Sequence, residues 1–436
     1  MRKHNVFCNT ISDNWLTFFV RFCYFQNRKE YIERNEEMNT IYAGLGYKFW
    51  FWRKTHGQYI KHNKIQHVPG GIIAVNNGTY GVFDAQYKFL KSSLKTRGDA
   101  HQRIPKFNKD KVKFIDQDVV FLGGVLGHFG HFLLEHFCRA WAVYNMDMRD
   151  KSVVLVDYKG IGTVPGFVYK LLGLVGIPKD RIIILNETTR FKNVYLPTQS
   201  FDMYKFTSHE YGQIFDNIVA GLNRGSNDVR VFEKLYVSRM KMGDRRTLGE
   251  QKIENVFKHN GFHVIYPETL SLEDQAKIVS GCKVLAGCAG TALHLAVFMK
   301  QGGTVIQIKR NRRIKDSAIT QNLINMTKGL NGVYVSGSVE PIVSSHWSEM
   351  PQIVAMTKKL QSWMRAYGLR YNKMDLGVSK TDLCEYNRLL KIYNHSHRKR
   401  TLLVKIINKL IKITACFVPG RNNRAKYRNF LKSKMQ

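Results

Sequence analysis

The clearest fold signal in the sequence is Gly281-Cys-Lys-Val-Leu-Ala-Gly287-Cys-Ala-Gly290-Thr-Ala-Leu-His294. Its apolar part, Lys283–Ala286, predicts a buried strand, and the glycines after it predict a tight turn before a helix over Thr291–Met299. Backbone N–H groups lack partners at a helix start, where the helix dipole is positive, so this unit suits a phosphate. Glycines at this spacing also occur in α/β turns for packing alone.

Strands and helices alternate on both sides of this unit. The predicted strands are Val119–Leu122, Ser152–Val156, Arg181–Leu185, Val194–Leu196, Lys234–Val237, Phe262–Tyr266, Lys283–Ala286 and Thr304–Ile308. The predicted helices are Phe129–Tyr144, Phe167–Leu174, His209–Leu222, Leu248–His259, Leu272–Ser280 and Thr291–Met299. Such alternation is typical of parallel sheets with helices on both faces. The sequence therefore predicts an α/β fold with two such units.

The chain of 436 residues is long enough for two or three domains. A polar segment at 223–228 is the best linker, so we predict an N-terminal α/β domain over 1–224 and a C-terminal Rossmann-like domain over 225–368. Residues 369–436 form a third region, the basic tail. The aromatic stretch Tyr47–Arg53 is predicted to be a core strand rather than an exposed contact patch.

The charge balance is strongly basic, with 68 Lys and Arg against 33 Asp and Glu, a net charge of +35. Such a field favours polyanions, whether nucleic acid, an acidic membrane or anionic substrates. The basic tail holds 17 Lys and Arg against 3 Asp and Glu. Within it, apolar residues recur at helical spacing between lysines: Leu402, Leu403, Ile406, Ile407, Leu410 and Ile411. This pattern indicates a helix that lies on an anionic membrane or packs on the protein body.

The cysteines and the N-terminus bear on location. The seven cysteines are scattered and never form a C-x-x-C pair, which favours a reducing compartment. The apolar run Trp15–Phe25 contains Arg21 and is shorter than the roughly 20 residues of a membrane-spanning helix. We therefore expect a cytoplasmic protein that is peripheral on the inner face of the membrane.

A second motif lies in the predicted helix Phe129–Tyr144. At about 100° per residue, His128, His131, Glu135 and Arg139 share one stripe of that helix. Such a stripe offers a base and cations to a substrate, or its members pair with one another at a spacing of four residues. A metal site is a weaker interpretation, because a motif such as H-E-x-x-H is absent.

A third motif, Tyr236-Val-Ser238-Arg239, ends a predicted strand and is followed by Arg245 and Arg246. Ligands of open α/β sheets bind beyond the carboxyl ends of the strands. Arg239 is therefore expected to bind the same anion as the 287–291 turn, because a guanidinium can hold a phosphate with two hydrogen bonds.

The ordered motifs resemble glycosyltransferase family 61 over about residues 118–310. The resemblance rests on the segments 129–135 with Arg139, 176–181, 237–239, 286–299 and 303–306. It implies a GT-B-like arrangement, with two Rossmann-like domains facing each other across a cleft, and inverting, metal-independent transfer from a nucleotide sugar. By position, Ser238, Arg239 and Gly290 match donor-binding residues of the family. Its catalytic-helix positions fall on His131, Glu135 and Arg139.

The resemblance and the residues together predict a transferase that uses a nucleotide-sugar donor, UDP-linked, and needs no metal or cofactor. The expected donor site comprises Ser238, Arg239, Arg245, Arg246, Gly287, Gly290, Thr291 and His294. Glu135 is the first choice of base, ahead of His131, with Arg139 beside them. The expected acceptor is a growing surface polysaccharide, such as a capsular one, or a lipid-linked glycan. The alternatives are a basic nucleic-acid-binding protein, although a recognition motif is absent, and a sugar-phosphate or phosphoryl transferase on the same fold.

Overall fold

The structure is a computed structural model that describes residues 40–43, 58–60, 63–76, 78–97, 100–101, 103–224, 232–243, 247–310, 315–339 and 351–416, with 423, 424, 427 and 431. The aromatic stretch 47–53 and the predicted donor residues Arg245 and Arg246 lie outside the described residues. Side chains within 397–409 are also outside them, and these include much of the apolar pattern predicted for the basic tail.

Short and long strands occur along the described chain. They are β1 (Thr40–Ala43), β2 (Gln58–Ile60), β3 (Ile65–Pro69), β4 (Ile72–Asn76), β5 (Thr79–Phe83), β6 (Thr96–Arg97), β7 (Ala100–His101), β8 (Lys113–Gly124), β9 (Ser152–Val156), β10 (Ile182–Leu185), β11 (Thr189–Pro197), β12 (Phe201–Asp202), β13 (Phe206–Ser208), β14 (Lys234–Val237), β15 (His263–Ile265), β16 (Val284–Cys288), β17 (Thr304–Lys309) and β18 (Asn331–Ser336).

The α-helices are α1 (Phe129–Glu135), α2 (Gly166–Leu174), α3 (His209–Asn223), α4 (Glu250–His259), α5 (Leu272–Ser280), α6 (Lys315–Lys328), α7 (Lys358–Ala366) and α8 (Lys380–Cys416). Two 3₁₀-helices matter for the site, at Phe137–Tyr144 and Thr291–Phe298. Both segments lie within stretches that were predicted to be helical.

In the described residues, five strands from the second half of the chain and β1 from its first half form a six-stranded parallel sheet with the strand order β1-β18-β17-β16-β14-β15. From β14, the chain first adds β15 on one side and then β16 on the other. The direction of strand addition therefore reverses between the neighbouring strands β14 and β16. In doubly wound sheets, ligands bind at such a switch point, outside the carboxyl ends of the strands.

The sheet of the first half has seven strands among the described residues, with the order β10-β9-β8-β11-β4-β5 and β3 paired to β11. The strands β8 to β11 are parallel, as predicted, whereas β3, β4 and β5 are antiparallel additions that were not predicted. Strand β8 is longer than the predicted Val119–Leu122, since its first six residues are mostly polar and lie exposed or half-buried. The direction of strand addition reverses again, here between β8 and β11.

The helix predicted over Phe129–Tyr144 is interrupted. It ends as an α-helix at Glu135, and His136 departs from helical geometry with φ −122° and ψ −49°. The His136 ring is anchored under β8, where its Nδ1 accepts a hydrogen bond of 2.9 Å from the Gly124 N–H and lies 3.2 Å from the Tyr80 hydroxyl oxygen. This anchor explains the break, because it draws residue 136 towards the sheet and the following turn tightens into a 3₁₀-helix.

The two halves share a hydrophobic core. One cluster contains residues from both sheets and from the helices between them. The Phe215 ring of α3 lies 6.2 Å from the Phe137 ring and 5.4 Å from the Phe298 ring, measured between centroids. The linker predicted near residue 224 therefore follows a helix that packs against both halves. The fold is a mixed α/β structure, in agreement with the predicted class.

The basic tail contains the long helix α8. Near its start, Tyr386 is buried with Leu248 and Ile353, which fixes that end on the second half. At 1.5 Å per residue, the 37 residues of α8 extend about 55 Å. Among the helices of the described chain, none combines the length and hydrophobicity needed to cross a membrane.

Candidate functional site

The carboxyl end of β14 leads directly into Ser238 and Arg239, both buried. The Ser238 hydroxyl donates a hydrogen bond of 2.6 Å to Glu254 Oε2, and the Ser238 N–H donates one of 2.9 Å to the Ile265 carbonyl. Ser238 therefore ties the strand end to α4 and to β15. This tie fixes the position from which the Arg239 side chain leaves the sheet.

The turn after β16 brings the backbone close to that arginine. A Cβ atom added to Gly290 would lie only 2.6 Å from Arg239 Nη1, and Gly290 has φ +152°, which side chains rarely adopt. At Gly287 a Cβ atom would lie 2.8 Å from the Val237 carbonyl oxygen, so β14 and β16 also approach closely there. Both predicted glycines are thus required by packing, and Gly290 leaves room for a guanidinium over the turn.

Two residues at this place were not predicted, namely Arg310 and Glu250. A Cβ atom added to Gly290 would lie 3.2 Å from Arg310 Nη2, so a second guanidinium reaches the same turn. Glu250 Oε1 accepts hydrogen bonds from the Tyr236 hydroxyl at 3.2 Å and from the Arg239 N–H at 3.3 Å. Arg310 follows a predicted strand, so the rule that selected Arg239 could have found it. Glu250 begins a polar helix and gives no comparable signal.

The charge of Glu250 is finely balanced. Its burial raises the pKa, and the positive charges of Arg239 and Arg310 oppose this, so the pKa rises only to about 7. The carboxyl group is therefore partly protonated near neutral pH. It faces two guanidiniums, so this group of three side chains carries a positive charge in either protonation state of Glu250.

On the other side of the site, α1 presents a histidine–carboxylate pair. His131 Nδ1 lies 2.6 Å from Glu135 Oε1, and Lys95 forms an ion pair with the other carboxylate oxygen. Burial alone would raise the Glu135 pKa, but the hydrogen bond from His131 and the charge of Lys95 prevail and hold it at about 2. The Glu135 side chain is 1% exposed and that of His131 is 34% exposed. The imidazole is therefore the accessible member of the pair.

Arg139 has a different environment from the predicted one. It is fully buried, and it donates hydrogen bonds to the carbonyls of Pro197 at 2.9 Å, Ser92 at 3.0 Å and Leu94 at 3.4 Å. The predicted common stripe does not extend this far, because α1 ends at Glu135. Arg139 instead holds the loop that precedes Lys95, and so acts on Glu135 through that lysine.

One close contact joins α1, which carries the histidine–carboxylate pair, to the 287–291 turn. A Cβ atom added to Gly130 of α1 would lie 2.6 Å from Thr291 Cγ2, so the start of α1 packs directly on the residue after Gly290. His294 is buried, and its Nδ1 lies 3.1 Å from Gln321 Oε1. Burial, together with the electrostatic influence of the neighbouring His131, His128 and Arg239, lowers the His294 pKa to about 4, although the Gln321 hydrogen bond opposes this.

The site is therefore built where the start of α1, which follows β8, packs on the turn that follows β16. It places an imidazole held by an ionised carboxylate next to a glycine turn with two guanidiniums. The first can accept a proton, and the second can hold an anionic leaving group. Within the described residues, no group of three His, Cys, Asp or Glu side chains could hold a metal ion.

Comparison with known families identifies this region of the chain. The family model for Glycosyltransferase 61 matches residues 129–306. The matched range begins at the first residue of α1 and ends within β17, so it includes the histidine–carboxylate pair and the 287–291 turn. Arg310 lies just beyond it. No curated protein matches the chain.

Proposed function

Because the chain carries a glycosyltransferase family 61 domain and is a glycosyltransferase, we propose that it moves a sugar from a nucleotide-sugar donor, UDP-linked, to a hydroxyl group of a growing surface polysaccharide or lipid-linked glycan. The observation that carries this proposal is the contact between Gly130 and Thr291. It unites a proton acceptor on α1 with a phosphate-suited turn after β16. A glycosyl transfer needs both groups within reach of one anomeric carbon.

The donor diphosphate binds at the 287–291 turn and at Arg239. Free N–H groups at the start of the 291–298 helix and the Arg239 guanidinium stabilise the negative charge that develops on the leaving diphosphate. Arg245 and Arg246 are retained in this proposal as further phosphate contacts. Ser238 fixes the strand end through Glu254. His294 supports the turn from below rather than contacting the donor, since its ring is buried against Gln321.

On the acceptor side, His131 is the base and Glu135 orients it. A Glu135 pKa of about 2 makes the carboxylate a weak proton acceptor, and both its oxygens are engaged by His131 and Lys95. This reverses the order expected from the sequence. With Nδ1 donating to Glu135, the Nε2 of His131 takes the acceptor proton. The acceptor oxygen then bonds to the anomeric carbon of the donor sugar, while the bond between that carbon and the diphosphate oxygen breaks. This displacement inverts the configuration of the anomeric carbon and uses no metal.

The arrangement and location of the enzyme are part of the proposal. The two sheets, with their carboxyl ends directed to one site, support a GT-B-like organisation with a cleft between acceptor and donor sides. The basic tail, with 17 Lys and Arg against 3 Asp and Glu, supports peripheral binding to the anionic inner face of a membrane. A lipid-linked acceptor would be presented there, from the cytoplasmic side.

A donor screen tests the function. The full chain is incubated with UDP-, GDP- and CMP-linked sugars and with lipid-linked or oligosaccharide acceptors, and the released nucleotide is identified. We expect a nucleoside diphosphate to be released in an acceptor-dependent manner and an inverted anomer in the product. Release of a nucleoside monophosphate from a nucleoside-diphosphate sugar would instead indicate sugar-phosphate transfer.

Substitutions test the base. We expect His131→Ala to lower kcat by about 10²–10⁴-fold, the usual contribution of a positioned base, with donor binding retained. Glu135→Gln is expected to lower kcat less, since the imidazole remains but is no longer oriented by a carboxylate. The matched control, His259→Ala, removes an exposed histidine of α4 and should leave kcat unchanged. If Glu135→Gln is the more damaging of the two site variants, the roles are exchanged.

A further inference from the structure

Arg310 lies at the same sheet edge as the proposed donor turn. In the pairing of β16 with β17, Gly287 is opposite Gln307 and Cys288 is opposite Ile308. Continuing this register places Gly290 beside Arg310, the first residue after β17. On the other side of β16, Val237 is opposite Gly287, which places Arg239 near Ala289. The two arginines therefore leave the strands on either side of the turn and flank it.

Both guanidiniums reach the backbone of that turn. The position of a Cβ atom on Gly290 is 2.6 Å from Arg239 Nη1 and 3.2 Å from Arg310 Nη2. Two groups of like charge thus converge on one small volume, which is unfavourable unless negative charge is shared between them. Arg310 Nη1 also donates a hydrogen bond of 3.4 Å to Thr247 Oγ1, which orients the guanidinium.

Glu250 supplies part of that negative charge. It is fully buried, its Oε1 accepts hydrogen bonds from the Tyr236 hydroxyl and the Arg239 N–H, and the charges of Arg239 and Arg310 both lower its pKa. One carboxylate leaves this group of two guanidiniums and Glu250 with an excess positive charge even when ionised. These three side chains carry an excess of one or two positive charges, which suits an anion, and a diphosphate has the oxygens to accept hydrogen bonds from both guanidiniums.

We propose that Arg310 is a second phosphate-binding residue, which forms with Arg239 a two-guanidinium clamp for the diphosphate of the nucleotide-sugar donor. This inference rests on the proposed function and deepens it, because it assigns a donor contact outside the matched family range. The clamp holds the diphosphate from opposite sides of Gly290. The negative charge that develops on the leaving diphosphate is then stabilised by two guanidiniums that are already in position.

Equilibrium binding to the full chain tests the clamp. The probes are the diphosphate, monophosphate and nucleoside forms of uridine, guanosine and adenosine, titrated calorimetrically into wild type, Arg239→Gln, Arg310→Gln and Arg310→Lys. A lost hydrogen bond to a charged group corresponds to about 10–100-fold in Kd. We expect Arg310→Gln to raise the Kd of the nucleoside diphosphates by that factor and to leave the Kd of the nucleosides unchanged. Arg310→Lys should recover part of the loss, because the charge remains without the fork.

The controls separate a binding role from a structural one. Arg370→Gln removes an exposed arginine of the same half and should leave every Kd unchanged. The melting temperature of each variant is measured, and the binding of nucleosides reports an intact site. An equal loss for nucleoside and diphosphate in Arg310→Gln would mean that Arg310 only supports the fold, and would overturn the clamp.

Two further outcomes separate a failure of the two-guanidinium clamp from a failure of the proposed donor site. If Arg239→Gln weakens diphosphate binding and Arg310→Gln does not, the clamp is wrong and the donor site stands. If wild type binds none of the nucleotides, and the donor screen also shows no transfer, both the proposed donor site and the clamp fail.

Discussion

His294 shows how a single residue can link the site to pH. It is buried beneath the donor turn, and its pKa is lowered to about 4, chiefly by burial, from an ordinary value of 6.5. In the unfolded chain the ring takes up a proton below pH 6.5, whereas in the folded protein it stays neutral until the pH falls to about 4. The unfolded state therefore binds more protons in this window, and the free energy of unfolding falls as the pH falls from 6.5 to 4.

The variant His294→Gln should remove this contribution. A difference of 2.5 pKa units corresponds to about 3 kcal/mol of the acid-induced loss. The measurement is the free energy of unfolding in urea at pH 7.5, 6, 5 and 4 for wild type and variant. The difference in the free energy of unfolding between wild type and His294→Gln should become smaller or change sign as the pH falls. The control His259→Gln, at an exposed position, should show the same pH dependence as wild type. Parallel curves for wild type and His294→Gln would contradict the assignment.

The positions of residues at strand ends were easier to predict from the sequence than the positions of residues on α1. Arg239, Gly287 and Gly290 meet at one turn because strand ends fix position, and the strands were visible as apolar runs. Arg139 was misplaced because its role depends on α1 ending at Glu135. That ending is caused by the tertiary contact of His136 with Gly124, which no local pattern reveals.

Among the elements, α1 carries the sharpest test, because its start packs on the donor turn. In the variant Gly130→Ala, the new methyl group would lie 2.6 Å from Thr291 Cγ2 and 2.7 Å from Oγ1. Overpacking of this kind costs about 1–3 kcal/mol. We expect a lower melting temperature and a lower kcat, since α1 must move away from the turn and take His131 with it.

The double variant Gly130→Ala/Thr291→Ala removes both crowding atoms and should recover part of the stability, a coupling that a double-mutant cycle measures. Gly173→Ala in α2 is the matched control. It adds the same methyl group to a helical glycine where no atom lies within 4 Å, so it should be neutral or stabilising. Equal melting temperatures for Gly130→Ala and Gly173→Ala would show that α1 and the turn are not in tight contact.

Elements with strong local patterns were predicted and others were not. The parallel strands β9, β14, β16 and β17 are short apolar runs and were found within two residues, whereas only the buried half of β8 was predicted. The hairpin of β4 and β5 was missed, because its position in the sheet comes from pairing with β11, more than 100 residues away. The same holds for β1, which joins the far edge of the second sheet through β18.

For the whole molecule, the two halves are less separate than a linker near residue 224 suggests. Helix α3 packs by Phe215 on Phe137 of the first half and on Phe298 of the second. The hydrophobic pattern of the sequence gives the buried face of each helix but not which sheet covers it. A shared core of this kind keeps His131 of α1 and the 287–291 turn at a fixed separation. It therefore favours a constant geometry of these two groups over a wide opening between the two halves.

The basic tail is expected to bind an anionic membrane surface through its cluster of positive charges. Residues 391–416 contain seven Lys and Arg residues and no Asp or Glu. Three of the seven form the cluster Arg398, Lys399 and Arg400. Each basic residue near an anionic surface contributes about 1 kcal/mol, so replacing this cluster by glutamine should weaken binding about 100-fold. The measurement is cosedimentation with vesicles of phosphatidylcholine and phosphatidylglycerol, and binding should also fall at high salt.

The matched control replaces Lys258, Lys300 and Lys358, three exposed lysines of the second half, by glutamine. It removes the same charge from the body of the protein, so it distinguishes a tail that binds the membrane from the field of the whole molecule at +35. We expect the control to bind vesicles nearly as well as wild type, because charges more than a Debye length from the surface are screened. Equal losses in the two triple variants would assign binding to net charge, and the tail would then have no special role.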